Sequence, residues 1–419
     1  MNIQKVDIGV LIIGAGPAGA GVSFFLSKFK IPHIVIEKEV FPRDKVCGDA
    51  CSGKTSMVLG KANPDWLDEV YRNRTQFLPT WGIKFAAPNG QSLSIPFNPK
   101  RTKSTKAPGF IVPRLTLDNF LFEKMASPYC TIYQGAQVKS IYNAPDKVTV
   151  HVLHQGTDYM IAADILVGAD GDKSIVRKKN IVENEVSKTA AVGLRAYYEG
   201  VEGLSRENYI ELHFLPELMP GYLWIFPLGN GMANVGVGMP SDIVRKRKMN
   251  LRDVMVHAIK TNPQIAPRFE NAILNDKIYG WGLPLATGKK KPISGDNYLL
   301  VGDAACLVDP FTGEGIGNAL YSGMKAAEAI KKAIERSDFS GLFFKEFYDQ
   351  VVYEALGAEL KASVWLQRLC KYPLLLNLII TKATKSPALR DTITSMFTDI
   401  DMRHLLKQPS FYIKAMMNK

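Results

Sequence analysis

The first strong pattern in the chain is an apolar run from Ile8 to Leu26, preceded by Asp7 and broken by Gly9, Gly14, Gly16, Pro17, Gly19 and Gly21. Its length would suit a membrane span, but that density of glycine and proline fits a strand, a turn and a helix better. The stretch "VDIGVLIIGAGPAGAGVSFFLSKFKIPHIVIEK" then predicts a short buried strand, a glycine turn and a helix to about Lys30. A second strand follows at Ile34–Ile36 and ends on Glu37. Two more short apolar strands run into glycine-aspartate turns, "DILVGADGDKSIVRK" at Gly168 and "NYLLVGDAACLVDPFTGEGIGNALYSG" at Gly302-Asp303. Between these segments the pattern changes to alternation with hairpin turns, in "WGIKFAAPNGQSLSIPF" and across 190–285, which predicts an antiparallel sheet. From about Asp338 the spacing is helical, through "GLFFKEFYDQVVYEAL" and "YPLLLNLII" to the closing "FYIKAMMNK".

The order strand, Gly14-Ala-Gly16-Pro-Ala-Gly19, helix, strand, acid is the dinucleotide-binding fingerprint in its structural context. Gly14 allows the tight turn, Gly16 lets the backbone approach a pyrophosphate, and Gly19 lets the helix pack close. The helix N-terminus faces the phosphates, and Glu37 is placed for ribose hydroxyls. The expected class is therefore α/β. A Rossmann-type domain is assembled from 1–80, 113–185 and 286–337, an antiparallel substrate sheet is inserted at 81–112 and 186–285, and a helical region spans 338–419. The fingerprint alone does not separate FAD from NAD. The later strands do, because an aspartate at the end of a parallel strand, here Asp303, suits the polyol of a ribityl chain. The loop Pro310–Ile316 could present backbone amides to the flavin's pyrimidine edge. An ordinary helix cap is the competing reading of Asp303.

Charge and cysteine usage narrow the setting. Across 419 residues the formal charge is +12 (52 basic minus 40 acidic), with basic clusters at Lys100–Lys106, Lys173–Lys179, Arg245–Lys248 and Lys289–Lys291. No aromatic-basic interleaving marks a nucleic-acid reader, so no nucleic-acid partner is expected. Anionic cofactors or lipid headgroups account for the clusters, and so does a solvated basic surface. Five scattered cysteines make no disulfide framework, and no signal-peptide pattern precedes the first apolar run. Both point to a soluble, cytoplasmic protein, with peripheral contact at the inner membrane face as an option. Alternation would put His151 and His154 on opposite strand faces, so no metal is assigned. The stretch "KVCGDACSGK" raises a metal half-site, a Cys47–Cys51 disulfide or a single working thiol. Structural zinc would need a second pair of ligands that the spacing does not offer.

Together the three glycine-bearing segments resemble the FAD-binding motifs of the para-hydroxybenzoate-hydroxylase-like flavoproteins. That resemblance implies that Ala18, Glu37, Arg114 (in "GFIVPRLTLDNFL"), Val138 (in "GAQV"), Asp303, Gly315 and Ile316 touch FAD. Gly14, Gly16, Pro17, Gly19, Lys38, Cys47, Gly48, Asp170, Gly302 and Gly313 complete the expected cofactor site. Within that group, "FPRDKVCGDACSGK" and "PGYLWIFPLGNGMANVGVGM" resemble the geranylgeranyl reductase family. The likeness implies a Lys45-x-Cys47-Gly48 loop beside the flavin and a Tyr222-x-Trp224-x-Phe226-Pro227 strand lining the substrate cavity, with Asn234-Val-Gly in the same pattern. Asp49 departs from it, because the archaeal enzymes tend to carry glycine there. The residues read alone agree: three alternating aromatics ended by Pro227 make an apolar wall with phenol and indole as polar handles, or else a core stripe.

The implied activity is FAD-dependent reduction of carbon–carbon double bonds in a prenyl diphosphate, a prenylated lipid or a quinone side chain. Cys47, Tyr222 and Trp224 are the catalytic candidates, with Cys47 as proton donor, Lys45 tuning its charge and Cys51 as packing. The electron donor is left open between reduced nicotinamide, ferredoxin and the like. The first alternative is an oxygen-using monooxygenase or halogenase. Halogenases carry Trp-x-Trp-x-Ile-Pro and an early lysine, where this chain has Tyr222, Phe226 and Thr80. The second alternative passes electrons to quinone and would want an iron–sulfur centre that the cysteine spacing does not offer.

Overall fold

A computed structural model describes residues 3–102, 105–181, 190–387 and 389–390. The closing stretch "FYIKAMMNK" and Lys103 of the first basic cluster lie outside the described residues. The first sheet is centred on the strand Ile3–Ile13, which pairs in parallel with Thr157–Gly168 on one side and His33–Glu37 on the other. Cys130–Gln134 extends it past His33–Glu37, and Tyr298–Leu300 extends it past Thr157–Gly168, again in parallel. Val10, Leu11 and Ile12 are fully buried, as expected for a strand covered on both faces.

Register decides where the chemistry falls. Ile13 stands opposite both Gly168 and Ile36, and Gly168 stands opposite Leu300. Three sequence-distant turns therefore emerge at the same, carboxyl end of one sheet, the usual binding edge of open parallel sheets. The helices Pro17–Lys28 and Ile316–Arg336 pack against each other beside this edge.

The second sheet runs in the order Ile273–Leu274, Ala190–Glu199, Met232–Pro240, Tyr222–Gly229, Ile210–His213, Gly82–Ala86, Ser92–Pro96, with Tyr279–Pro284 also on Ala190–Glu199. Its pairs are antiparallel except Ile210–His213 with Gly82–Ala86, which is parallel and joins the two insertions. Asn230 and Gly231 both adopt positive φ, 52° and 75°, the conformation that suits a two-residue hairpin turn. Pro227 does not end its strand. It sits inside Tyr222–Gly229 opposite Ala233, next to a register shift, where a missing backbone donor is tolerated. Gly109–Ile111 joins neither large sheet and pairs with Ala50–Cys51 and Leu78–Thr80.

Of the C-terminal helices, Gln350–Leu369 packs on the first core through Val352, Leu356 and Leu360, and Pro373–Lys385 lies against Ser92–Pro96 of the second sheet. Cys370, Ile380 and Ala383 pack into one apolar cluster with Phe214, Phe311, Trp224 and Phe226. Asn89 is tied to Pro373–Lys385 by its backbone N–H on Asn377 Oδ1 (3.0 Å) and its side-chain amide on Thr381 Oγ1 (3.3 Å).

Candidate active site

The fingerprint turn depends on two close approaches. Gly14 has φ +104°, and a Cβ there would lie 2.4 Å from the carbonyl oxygen of Ala169; one on Gly19 would lie 1.9 Å from the carbonyl of Gly14. Side chains at either position would push the first strand and its helix apart. Pro17 occupies the first turn of the helix, where its missing N–H leaves no bond unmade. Glu37 is buried, and its carboxylate holds the turn itself, accepting from Ala15 N (2.7 Å) and Glu39 N (2.9 Å). Each oxygen keeps a second lone pair on the cavity side.

The second and third motifs are wired together. Asp170 accepts from Ser174 Oγ (2.6 Å) and Ile175 N (2.7 Å), fixing the start of the helix Ile175–Asn180. From that helix Arg177 donates to the carbonyls of Asp303 (3.1 Å) and Ala304 (3.0 Å). The Asp303 side chain caps no helix. Burial pushes its carboxyl up, while Lys45 and Arg114 pull it back down. It shows no hydrogen bond to the described residues and lines the cavity, where a carboxylate can accept from hydroxyl donors. In the next loop, Asp309 Oδ1 takes the N–H groups of Phe311 (2.9 Å) and Thr312 (2.8 Å). Gly313 N goes to Asp309 O and Glu314 N to Thr312 Oγ1. The amides available to a ligand are therefore narrower than Pro310–Ile316; they are those of Gly315 and Ile316, at the start of a long helix.

Opposite the cradle lies the Lys45–Asp49 loop. Lys45 Nζ sits 3.9 Å from the Trp281 ring centroid, and burial lowers its ammonium to about 8 against the pull of Asp303. Burial pushes the Cys47 thiol up, while the Arg114 guanidinium and the Asp49 N–H beside it pull it back down. Arg114 also forks onto Asp118 (2.6 and 2.7 Å), which is fully buried and takes Arg43 as well (2.8 Å). A Cβ on Gly48 would lie 2.8 Å from the Phe226 ring, so the loop is stacked directly on the aromatic strand.

Tyr222, Trp224 and Phe226 do share one face, with ring centroids 6.4 and 6.3 Å apart in sequence order. Their polar ends are not free handles. Tyr222 O–H donates to Thr312 O (2.8 Å) and Trp224 Nε1–H to Asn234 Oδ1 (2.8 Å), so the wall offers a ligand only ring surface. Thr80 lines the same cavity and donates to Asn208 O (2.6 Å). From the C-terminal helix, Glu359 reaches Lys54 Nζ at 3.2 Å, and Lys54 also donates to Asn318 Oδ1 (2.5 Å).

One continuous cavity of about 1520 Å³ runs past Glu37, Lys38 and Val138 at one end, Asp303 in the middle and Trp224 at the other. Gly14, Gly16, Pro17, Ala18, Cys47, Gly48, Arg114, Asp170, Gly313, Gly315, Ile316 and Tyr222 also line it. Gly19 and Gly302 do not. They act from behind, Gly19 against Gly14 and Gly302 against Ala18 and Ala319. Cys51 is buried in its short strand, and Cys47 and Cys51 are both thiols, so no disulfide joins them. Sequence reading left Tyr197 and Trp281 out of the site, and named Asp49 and Asn234 without giving them a role there. Tyr197 and Asn234 meet only because Ala190–Glu199 and Met232–Pro240 pair in that register.

These features define an FAD-binding flavoprotein, and the family comparison agrees: residues 7–338 match the FAD binding domain family, to which the chain belongs. Among curated relatives, the digeranylgeranylglycerophospholipid reductase of Methanococcus vannielii is 27% identical over 88% of this chain and 89% of its own length. The menaquinone reductase of Mycolicibacterium smegmatis is 29% identical over 77% of this chain and 76% of its own. A solved geranylgeranyl bacteriochlorophyll reductase-like protein from Thermoplasma acidophilum shares the fold, with TM-score 0.80 at 21% identity, covering 99% of this chain and 97% of that one. The flavin-dependent brominase Bmp2 shares it too, at TM-score 0.74 and 19% identity over 96% of this chain and 98% of that one. The chain is an FAD-dependent oxidoreductase, similar to these named reductases.

Proposed function

We propose that this oxidoreductase reduces carbon–carbon double bonds in the isoprenoid part of a lipid or quinone. The observation that carries the reading is the wall Tyr222–Trp224–Phe226. Its hydrogen-bonding groups are all turned into the protein, and it borders the same cavity as the FAD cradle. Such a surface suits a branched hydrocarbon and offers nothing to a polar aromatic acceptor. FAD, held by the Gly14–Gly19 turn, Glu37, Asp303 and the Gly315 and Ile316 amides, would when reduced supply hydride to an alkene carbon. The chain's residues then have three tasks: to bind the chain, keep water out and hold a proton. Ring faces of Trp224 and Phe226 do the first two.

Cys47 is the best-placed proton holder. Burial keeps its sulfur protonated at neutral pH, while Arg114 and the Asp49 N–H stand ready to stabilise the thiolate left after transfer. Tyr222 is not suited to the task, since burial pushes its phenol up and its O–H is engaged by Thr312. Lys45 holds a positive charge near Asp303 and Trp281. A reduced nicotinamide or a ferredoxin-type protein would supply the electrons. Among the described residues no helix is long and apolar enough to cross a membrane. Exposed Tyr372 and Leu374, beside Lys371, give the C-terminal helices a means of resting on an anionic lipid surface where such a substrate resides.

The test is anaerobic. The FAD-loaded protein is reduced and mixed with geranylgeranyl glycerophospholipid or menaquinone. Return of oxidised-flavin absorbance with loss of a substrate double bond supports the reading. Reoxidation only with oxygen, halide and an aromatic acceptor would replace it with halogenase chemistry. Cys47→Ser should keep FAD and still accept electrons, and should slow alkene reduction by about a hundredfold or more.

A further inference from the structure

Asp49 is an unusual residue to find where it is. Its φ is +68°, a backbone conformation that favours glycine, and its side chain is fully buried. Three donors converge on the carboxylate: Arg114 N on Oδ1 (3.2 Å), and Tyr197 O–H (2.7 Å) and Asn234 Nδ2 (2.7 Å) on Oδ2. Only an acceptor-only group satisfies all three at once.

The partners lead to both sides of the site. Asn234 is fully buried, and the Trp224 indole, which can only donate, fixes which end of its amide is oxygen. The amide nitrogen donates to Asp49 and also to the carbonyl of Cys47 (2.8 Å). Tyr197 stands opposite Asn234 in the sheet and carries the Arg195 guanidinium 4.2 Å from its ring centroid, and Arg195 pairs with Asp44. Asp49 thus sits where the loop bearing Cys47 meets the strand bearing Trp224.

We infer that Asp49 is a positioning residue: its carboxylate fastens the Cys47 loop to Trp224 through Asn234, and to the sheet through Tyr197, and so sets where the thiol meets the alkene. The inference rests on the reductase reading for the word alkene; the tether itself rests on the hydrogen bonds. A backbone and charge that are both unfavourable at this position argue that the residue is kept for its role in the site.

The test compares FAD-loaded wild type with Asp49→Asn, which cannot offer three acceptors, and Asp49→Gly, which suits the backbone but offers none. Both should keep the flavin spectrum and a KM within about threefold of wild type, while kcat falls about tenfold or more. Iodoacetamide should modify Cys47, followed by peptide mass, at least about fivefold faster as the loop loosens. Tyr197→Phe, which removes one donor from outside the loop, should move both readouts the same way by about threefold. Protonation should mimic these variants. Burial pushes the Asp49 carboxyl up to about 6 while Tyr197, Asn234, Arg195 and Arg114 pull it down, with the thiols of Cys47 and Cys51 nearby. Wild-type kcat should therefore fall below about pH 6, a limb absent from Asp49→Asn. A kcat and an alkylation rate within about twofold of wild type in all three variants would overturn the inference. If wild type reduces no prenyl chain yet alkylation accelerates in Asp49→Asn, the reductase reading falls and the tether stands.

Discussion

The cofactor cradle and the aromatic wall face each other across one cavity, yet they are held in opposite ways. The cradle is built from contacts between neighbours in sequence and between strand ends. Gly19 lies under Gly14, Glu37 holds Ala15, and Asp170 holds Ser174. Its tolerances are steric and its charges are steadied by backbone amides. The wall is held by side chains brought together from four distant segments: Asp49, Arg114, Tyr197 and Asn234 around Trp224. Geometry that glycine fixes is local, whereas geometry that buried polar side chains fix needs the whole sheet in register.

Trp224→Ala should have the largest effect on this contrast. The ring is 8% exposed and lies so close to Gly236 that a Cβ there would be 2.2 Å from it. Truncation should cost about 3–5 kcal/mol of stability and strand the Asn234 oxygen. FAD affinity should change little if the wall is separate from the cradle. Chemical denaturation together with FAD titration reads both, and a matching loss of FAD binding would show that the two regions are one unit.

Two buried carboxylates sharpen the comparison by pH. Asp49 is raised from 3.8 to about 6 by burial, so its contribution to stability is full below about pH 3.8 and is lost as pH rises through about 6. Glu211, in the second sheet, is pushed up by burial but held down to about 2 by His213, Arg268 and Lys84. Its contribution is present above 4.5, the ordinary glutamate value, and is lost as pH falls toward 2. Each is worth roughly 3 kcal/mol at the extremes. Stability of wild type measured against Asp49→Asn and Glu211→Gln from pH 3 to 8 should therefore diverge in opposite directions. Parallel curves would remove the distinction between a carboxylate kept for the site and one kept for the sheet.

How much of this was legible follows the same division. The fingerprint, the Asp303 turn and the alternating aromatics are local patterns, and the structure brings them to one cavity. What the sequence could not disclose were the partners. Nothing in "YLWIFP" says that the indole faces Asn234 or that the phenol is taken by Thr312. Nor does "DPFTGEGI" reveal that Asp309 claims the amides of Phe311 and Thr312. Pro227 read as a strand end because a missing donor usually stops pairing; a register shift beside it lets the strand continue.

On the cradle side, Asp303→Ala is the counterpart of the Trp224 experiment. An inward carboxylate that meets no donor among the described residues should gain its partners from FAD hydroxyls. Its removal should weaken FAD binding by about 1.5–3 kcal/mol, read by fluorescence titration. Folding should survive, because the carboxylate's burial is a cost to the protein without FAD. Unchanged FAD affinity would move the ribityl contact elsewhere on the sheet edge.

The smallest effect is expected at Cys51. Cys51 is 2% exposed in the strand pair with Phe110, and burial followed by Glu314 pushes its thiol well above the usual range. Such a thiol is a poor nucleophile and behaves as a small apolar side chain. Cys51→Ala should cost about 1 kcal/mol of stability and leave kcat within about twofold of wild type. The two cysteines stand four residues apart, one in a loop and one in a strand, and differ in their partners. The Cys47 thiol feels the Arg114 guanidinium and the Asp49 N–H, and its neighbour Gly48 packs on the Phe226 ring. If Cys51→Ala abolished turnover as fully as Cys47→Ser, the pair would have to exchange electrons during the cycle. The wall would then border a dithiol site, and a single acid would no longer account for the chemistry.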